Sequence, residues 1–331
     1  MAGSDRGTAP AGGRAADPPA GPDLVTLGEA LVALVATDGV PLLHAARYDR
    51  WVVGAESNVA VGVARLGHRV AFCGRVGDDT SGEVVRRFLR GEGVDDAAVR
   101  TTPGRATGLI VRDAPSGRPV DLVYHRTAAA GSALSPGDVP LAVVRSARAT
   151  HLTGISAMLG DGPCAAVQSA AHAARGAGRY VTLDPNVRRR LGPPAAWRSA
   201  LEPLVGLADA VLVGDEELAV LGGGCGIGWF LDRGAPLVVV KRGAAGATAT
   251  DGTTTWTVPA RPVPLVDPVG AGDAFAAGWI SAWLRGKDVE DGLREGAAVA
   301  ACVVATRGDV DGLPTAAERD HVLADGTDVR R

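Results

Sequence analysis

From about residue 150 the chain alternates short apolar runs with stretches of helical spacing. The runs are His151-Leu152, Tyr180 to Leu183, Ala210 to Val213 and Leu237 to Val240, and each is separated from the next by enough chain for a helix. Strands joined by helical crossovers lie parallel, and a parallel sheet is covered by helices on both faces. The same pattern starts earlier, with a buried strand at Leu24 to Gly28, a helix from Ser57 to Leu66, a strand at Val70 to Val76 and a helix from Ser81 to Gly91. Two stretches break it. Leu31 to Val35 runs extended into the hairpin turn Asp38-Gly39, and Gly108 to Arg112 and Val120 to Arg126 alternate around Pro115-Ser116-Gly117. Such hairpins project as a small β sheet, a lid over the strand ends where α/β folds bind ligands. The expected fold is α/β: a central, mostly parallel sheet flanked by helices on both faces, with a β-sheet lid from about 31–55 and 106–127.

A length of 331 residues with 46% hydrophobic content allows a core that needs no disulfide or metal staple. The body is expected over 23–320, between a disordered tail at 1–22, which has no apolar signal core, and a C-terminal tail at 321–331. No apolar run approaches the roughly 18 residues of a membrane helix. A net charge of -3 gives no reason to expect nucleic acid or a membrane surface as partner. Cys73, Cys164, Cys225 and Cys302 are scattered without a C-x-x-C pair, which fits a reduced, cytoplasmic setting.

The chemistry is concentrated in Asp267-Pro268-Val269-Gly270-Ala271-Gly272-Asp273, which opens an apolar helix running to Leu284. Two glycines at a helix start leave N–H groups bare and let an anion approach them, and the helix dipole adds about half a positive charge there. Asp273 stands in that positive spot. A phosphoryl group held by the amides of Gly270, Ala271 and Gly272, beside a carboxylate able to accept a hydroxyl proton, makes a phosphotransfer centre. Read alone, the same residues also fit a Gly-rich turn whose Asp273 is an ordinary first-turn acid. Competing signatures are missing: no G-x-x-x-x-G-K-[ST], no G-x-G-x-x-G among the glycines at 222–228, no H-E-x-x-H and no G-x-S-x-G.

A second motif narrows the choice. Gly54-Ala55-Glu56-Ser57-Asn58-Val59-Ala60, with Arg65-Leu66-Gly67 and Gly74-Arg75-Val76-Gly77-Asp78-Asp79, stands upstream of Asp267 to Gly278. Together these make the chain, from about Asp23 to Pro314, resemble the PfkB (ribokinase-family) carbohydrate kinases. The resemblance implies a ribokinase-like sheet domain with a β lid, ATP as donor and a magnesium requirement, and leaves a monovalent cation open. Within the family, Tyr124-His125-Arg126, His151 to Ser156, Asp184 to Arg188, Lys241-Arg242-Gly243 and Arg307-Gly308-Asp309 resemble the 2-keto-3-deoxygluconate kinases.

That resemblance implies a sugar site at Gly54, Ala55, Glu56, Ser57, Asn58, Tyr124, Arg126, Arg188 and Asp309. It implies an ATP site at Asn186, Arg188, Lys241, Arg242, Gly243, Ala244 and Gly246, with Glu217 tied to magnesium through water. Arg126 and Arg188 suit a sugar acid, because arginine forks recognise carboxylates with paired hydrogen bonds. Asn58 also fits a plain helix cap, and Lys241 to Gly246 a turn between strands. The chain departs from the pattern at Gly214, where the family often has Asn, at Ile110 in place of a lid tyrosine, and at Val53 in place of a glycine. The expected activity is ATP-dependent phosphorylation of the terminal hydroxyl of a sugar acid, 2-keto-3-deoxygluconate, with Asp273 as base. The alternatives are a fructokinase or ribokinase-type sugar kinase and, from another class, a non-catalytic sugar-binding regulator. Lid edges that would otherwise face water predict a homo-oligomer.

Overall fold

A computed structural model describes residues 21–113 and 120–324. The chain enters through β1 (Leu24–Gly28), sends β2 (Leu31–Ala36) and β3 (Tyr48–Val53) away from the body, and returns as α1 (Ala55–Arg65). Next come β4 (Val70–Gly77), α2 (Thr80–Gly91) and β5 (Val94–Thr102), and then β6 (Leu109–Arg112) and β7 (Leu122–His125) leave again. The alternating half follows as α3 (Leu141–Ser146), β8 (Ala149–Thr153), α4 (Gly154–Ala157), α5 (Asp161–Gly176), β9 (Tyr180–Asp184), α6 (Pro194–Val205) and β10 (Ala210–Gly214). After α7 (Asp215–Gly222) and α8 (Gly228–Leu231), the sheet closes with β11 (Val238–Lys241), β12 (Ala247–Thr250) and β13 (Thr255–Val258). The long pair α9 (Ala271–Leu284) and α10 (Val289–Val304) precedes the last helix, α11 (Ala316–Leu323).

Nine strands form the main sheet in the order β13-β12-β11-β10-β9-β8-β1-β4-β5, and β3-β2-β6-β7 form the smaller one. All neighbours from β11 to β5 run parallel, whereas β12 and β13 add an antiparallel edge. From β1 the chain builds outward to β4 and β5 on one side and then to β8, β9, β10 and β11 on the other. Where the build direction reverses, the loops after neighbouring strands part and leave a crevice at their carboxyl ends. Gly28, Thr153 and Asp184 end β1, β8 and β9 at that crevice.

Two hydrophobic cores lie on the two faces of the sheet. One holds α1, α9 and α10 around Val59, Phe72, Phe275 and Trp279; the other holds α4, α5 and α6 around Leu134, Val167, Trp197 and Leu201. Helix α9 is apolar on every side because it is buried on every side, with ten of its residues shielded from solvent. Among the described residues, no helix is long and apolar enough to cross a membrane.

The second sheet joins its two hairpins through the parallel pair β2 and β6. The first hairpin is wider than a two-residue turn: residues 37–47 separate its strands, and Asp38 holds that loop by accepting from the Ala46 amide. The Pro115-Ser116-Gly117 turn and the 1–20 part of the N-terminal tail lie outside the described residues. At the other end, α11 runs through Leu323, so a body ending at residue 320 would cut a helix. Strand β5 escapes sequence reading because it is rich in polar residues at the sheet edge, with Asp even at the buried position 96, and β12 and β13 because they are short and Thr-rich.

Gly154 shows how tightly the crevice is framed. A Cβ there would lie 2.3 Å from the Pro185 carbonyl oxygen and 2.9 Å from both Trp197 and Leu201. Overpacking of this kind costs about 1–3 kcal/mol. Gly154→Ala is therefore expected to lower unfolding free energy by that amount in a denaturant titration, and an unchanged midpoint would contradict the packing described.

Candidate active site

The helix start at α9 depends on Gly270. Its φ of 81° is left-handed, and a Cβ would sit 2.5 Å from the Asp309 carbonyl oxygen, so only glycine fits. No side chain caps the helix. The Ala271 amide makes a long bond of 3.3 Å to the Pro268 carbonyl, while Gly270 and Gly272 sit at the open helix end. Asp267 braces the turn from below, its Oδ1 accepting the Val269 amide at 3.1 Å.

Asp273 lies one turn in and is held from two directions. Asn58 Nδ2 donates to its Oδ2 at 2.8 Å and Asn186 Nδ2 to its Oδ1 at 3.2 Å. Both amides are themselves buried, and the Oδ1 atom of each has no hydrogen-bond partner. Burial pushes the Asp273 carboxyl up to about 7; the Asn58 bond pulls it down, nearby Asp184 raises it, and Arg188 and Lys241 lower it.

The wall on the β9 side is an ion pair. Lys241 Nζ, at the end of β11, lies 2.6 Å from Asp184 Oδ2, and Asp184 Oδ1 accepts the Asn186 amide at 3.0 Å. Asn186 is left-handed at φ 45°, a conformation asparagine tolerates better than most residues, and this turns its side chain back toward Asp273. Glu217 is spoken for: one carboxylate oxygen accepts the Val187 amide at 2.7 Å and the other the Gly214 amide at 2.8 Å. It braces the Asn186–Arg188 segment and caps α7. No cluster of three His, Cys, Asp or Glu side chains suited to a metal occurs among the described residues.

Beyond Lys241, Arg242 to Ala245 form an exposed turn, with Gly243 and Ala244 in a 3-10 segment and Arg242 3.7 Å from Asp215. Gly246 ends the turn at φ 89°, where a Cβ would strike the Val258 carbonyl oxygen at 2.1 Å.

Between lid and body lies a cleft enclosing about 690 Å³ of empty space, open mouth included. Gly54, Ala55, Asn58, Tyr124, Arg126, Arg188, Asp273 and Asp309 all line it. Gly54 is glycine because a Cβ would come within 2.2 Å of the Glu29 carbonyl oxygen. Glu56 touches the cleft but binds inward, accepting the Thr153 and Ser156 hydroxyls at 2.5 Å each, and burial keeps its proton affinity high. Ser57 does not line the cleft; its hydroxyl donates to the Gly54 carbonyl at 3.0 Å and stiffens the loop. Arg126 stacks 4.3 Å from the Tyr124 ring centroid, whereas Arg188 stands exposed at the rim. Burial raises Asp309 to about 6 against the pull of Arg112.

Three residues here were not singled out from sequence. Glu29 pairs with Arg126 at 3.1 Å, Arg112 reaches from the lid to Asp267 at 2.9 Å, and Asp184 anchors Lys241. Glu29 directly follows β1 and Asp184 ends β9, so strand-end placement was the available signal for both.

A raised carboxyl carries a stability consequence. Between the ordinary value near 4 and about 7, the folded chain binds a proton at Asp273 that the unfolded chain has lost, so this group's contribution falls as pH rises through that window. Asp273→Asn is expected to melt above the parent at about pH 8, with the difference vanishing near pH 4. Equal melting temperatures at the higher pH would contradict a buried, charge-penalised Asp273.

A family model described as pfkB family carbohydrate kinase matches residues 22–316. A 2-dehydro-3-deoxygluconokinase of Thermoproteus tenax is 34% identical, covering 91% of this chain and 94% of its own length. A fructokinase of Klebsiella pneumoniae is 37% identical over 72% of this chain and 79% of its own. Among solved structures, a protein from E. coli provisionally named Ribokinase II, in complex with ATP and Mg²⁺, superposes with a TM-score of 0.84 at 28% identity, covering 92% of this chain and 99% of its own. The match runs from the first described strand to the last helix, and on it the chain belongs to the pfkB family of carbohydrate kinases.

Proposed function

We propose that this kinase transfers the γ-phosphoryl group of ATP to the terminal hydroxyl of 2-keto-3-deoxygluconate (2-dehydro-3-deoxygluconate). The observation that carries the reading is the placement of Arg126 and Arg188 in the same cleft as Asp273. A carboxylate held by the two guanidinium groups puts the far end of a short sugar acid toward Asp273. The similarity to a 2-dehydro-3-deoxygluconokinase supports that choice of substrate.

In this mechanism Asp273 takes the hydroxyl proton while the sugar oxygen forms a bond to the γ-phosphorus in line. The bond from that phosphorus to the β,γ-bridging oxygen breaks, and ADP leaves with the electron pair. Asn58 and Asn186 hold the Asp273 carboxyl at fixed orientation. The amides at Gly270 and Gly272 meet the negative charge on the transferred group, and one such donor is worth about 3–4 kcal/mol in the transition state. Lys241 and the Arg242–Gly246 turn lie on the nucleotide side. Mg²⁺ arriving with ATP would supply charge screening at the phosphates. Asp273 acts only when ionised, so kcat is expected to rise with pH through about 7.

A second reading, a kinase of neutral sugars such as fructose, is favoured by one contact: Glu29 already occupies part of Arg126. A non-catalytic sugar-binding regulator has less support, because the Gly270 cradle and Asp273 are both intact. Coupled ADP assays across sugar acids and neutral sugars separate the three, and turnover on the acid well above fructose is the expected result. Asp273→Asn is expected to lose at least about 10²-fold in kcat with binding retained; near-parental turnover would remove it from the base role. Arg126→Ala is expected to raise KM for the acid roughly 10- to 150-fold, the scale of one charge-assisted hydrogen bond, with KM for ATP nearly unchanged. An unmoved acid KM would leave a carbohydrate kinase of another substrate.

A further inference from the structure

The cleft holds more carboxylate than cation. Among the described residues, Glu29, Glu56, Asp273 and Asp309 line it against Arg112, Arg126 and Arg188. Asp267 already engages Arg112, and Arg188 stands at the rim. Arg126 is thus the cation that an incoming carboxylate meets inside, and Glu29 Oε2 lies 3.1 Å from its Nη1. Glu29 is only 3% exposed and has little room to withdraw, since a Cβ on Gly131 would lie 2.7 Å from its Cγ. Its other oxygen, Oε1, is buried without a hydrogen-bond partner.

A second carboxylate brought against the same guanidinium weakens the hold of Arg126 on Glu29 and adds a like charge beside it, and both raise the proton affinity of the buried Glu29 carboxyl. Resting on the sugar-acid reading above, we propose that the acid binds by taking a share of Arg126 from Glu29, and that Glu29 takes up one proton from solvent as the acid enters. No other bond forms or breaks: the proton adds to the Glu29 carboxylate, and the substrate carboxylate inherits the ionic contact. The charged groups facing Glu29 are Arg126 from the lid and Glu56 from α1, while Arg112, Arg188, Asp273 and Asp309 line the rest of the cleft. Burial has already pushed Glu29 up to about 7, against the pull of Arg126 and with a further push from Glu56.

The sign follows. Below about 7 Glu29 already carries its proton, so acid binding takes up little. Above that, each binding event takes up a proton, and affinity for the acid falls by about tenfold per pH unit as pH rises. A neutral sugar brings no second carboxylate and draws no proton to Glu29.

Isothermal titration calorimetry of the full chain with 2-keto-3-deoxygluconate, at about pH 8 in buffers of low and high ionisation enthalpy, reads the uptake directly. Roughly one proton per acid bound is expected in the wild type, persisting in Asp273→Asn and abolished in Glu29→Gln, whose affinity becomes nearly flat with pH. Acid binding to the wild type without buffer-dependent heat overturns the proposal even if Glu29→Gln fails to fold, and so does uptake that survives in a folded Glu29→Gln. An acid that does not bind at all, where fructose does, overturns the sugar-acid reading and this proposal together.

Discussion

Asp273 is the point on which the site depends, and it is made by contacts across the whole chain. Its two oxygens are held by Asn58 on α1 and Asn186 beyond β9, amides 215 and 87 residues away in sequence. A carboxylate at a helix start is ordinarily stabilised by the dipole, yet here burial outweighs that help and lifts the proton affinity to about 7. The fold keeps a costly group because the surroundings leave it no way out: Gly270 fits only as glycine, Asp267 braces the turn, and α9 is packed into the core over nearly its full length. Desolvation concentrated on one carboxyl is what brings its titration near neutral pH.

The remaining charges are arranged so that each wall of the cleft supports another. Arg112 crosses from the lid to Asp267, so the lid sheet is tied to the same turn that carries the amides. Lys241 is pinned by Asp184, which also orients the segment bearing Asn186. Glu217 holds that segment from behind through the Val187 amide. Buried pairs of this kind add little net stability, because desolvation offsets much of their attraction. What they supply is fixed geometry.

Much of this was legible in sequence where the signal was local. Alternating apolar runs were enough for the parallel sheet, because burial on both faces demands them. The helix start at Gly270 was legible because glycine spacing reports a close backbone approach within a few residues. Glu29 and Arg112 were not, since each acquires its role from a partner in a distant segment: Arg126 lies 97 residues from Glu29, and Asp267 lies 155 from Arg112. Glu56, Ser57 and Glu217 show the opposite case, in which a motif marks the right neighbourhood but the side chain turns inward to brace it. Strands toward the two ends of the sheet were lost for a simpler reason: β5 is rich in polar residues, and β12 and β13 are short and Thr-rich.

The central claim is that the phosphoryl group meets the sugar hydroxyl between the α9 amides and Asp273. A crystal structure of the ternary complex with 2-keto-3-deoxygluconate and a non-hydrolysable ATP analogue tests it most directly. The account predicts the terminal hydroxyl within about 3 Å of an Asp273 oxygen and the γ-phosphate on the Gly270 and Gly272 amides. A γ-phosphate seated elsewhere, with Asp273 still bonded only to Asn58 and Asn186, would contradict it.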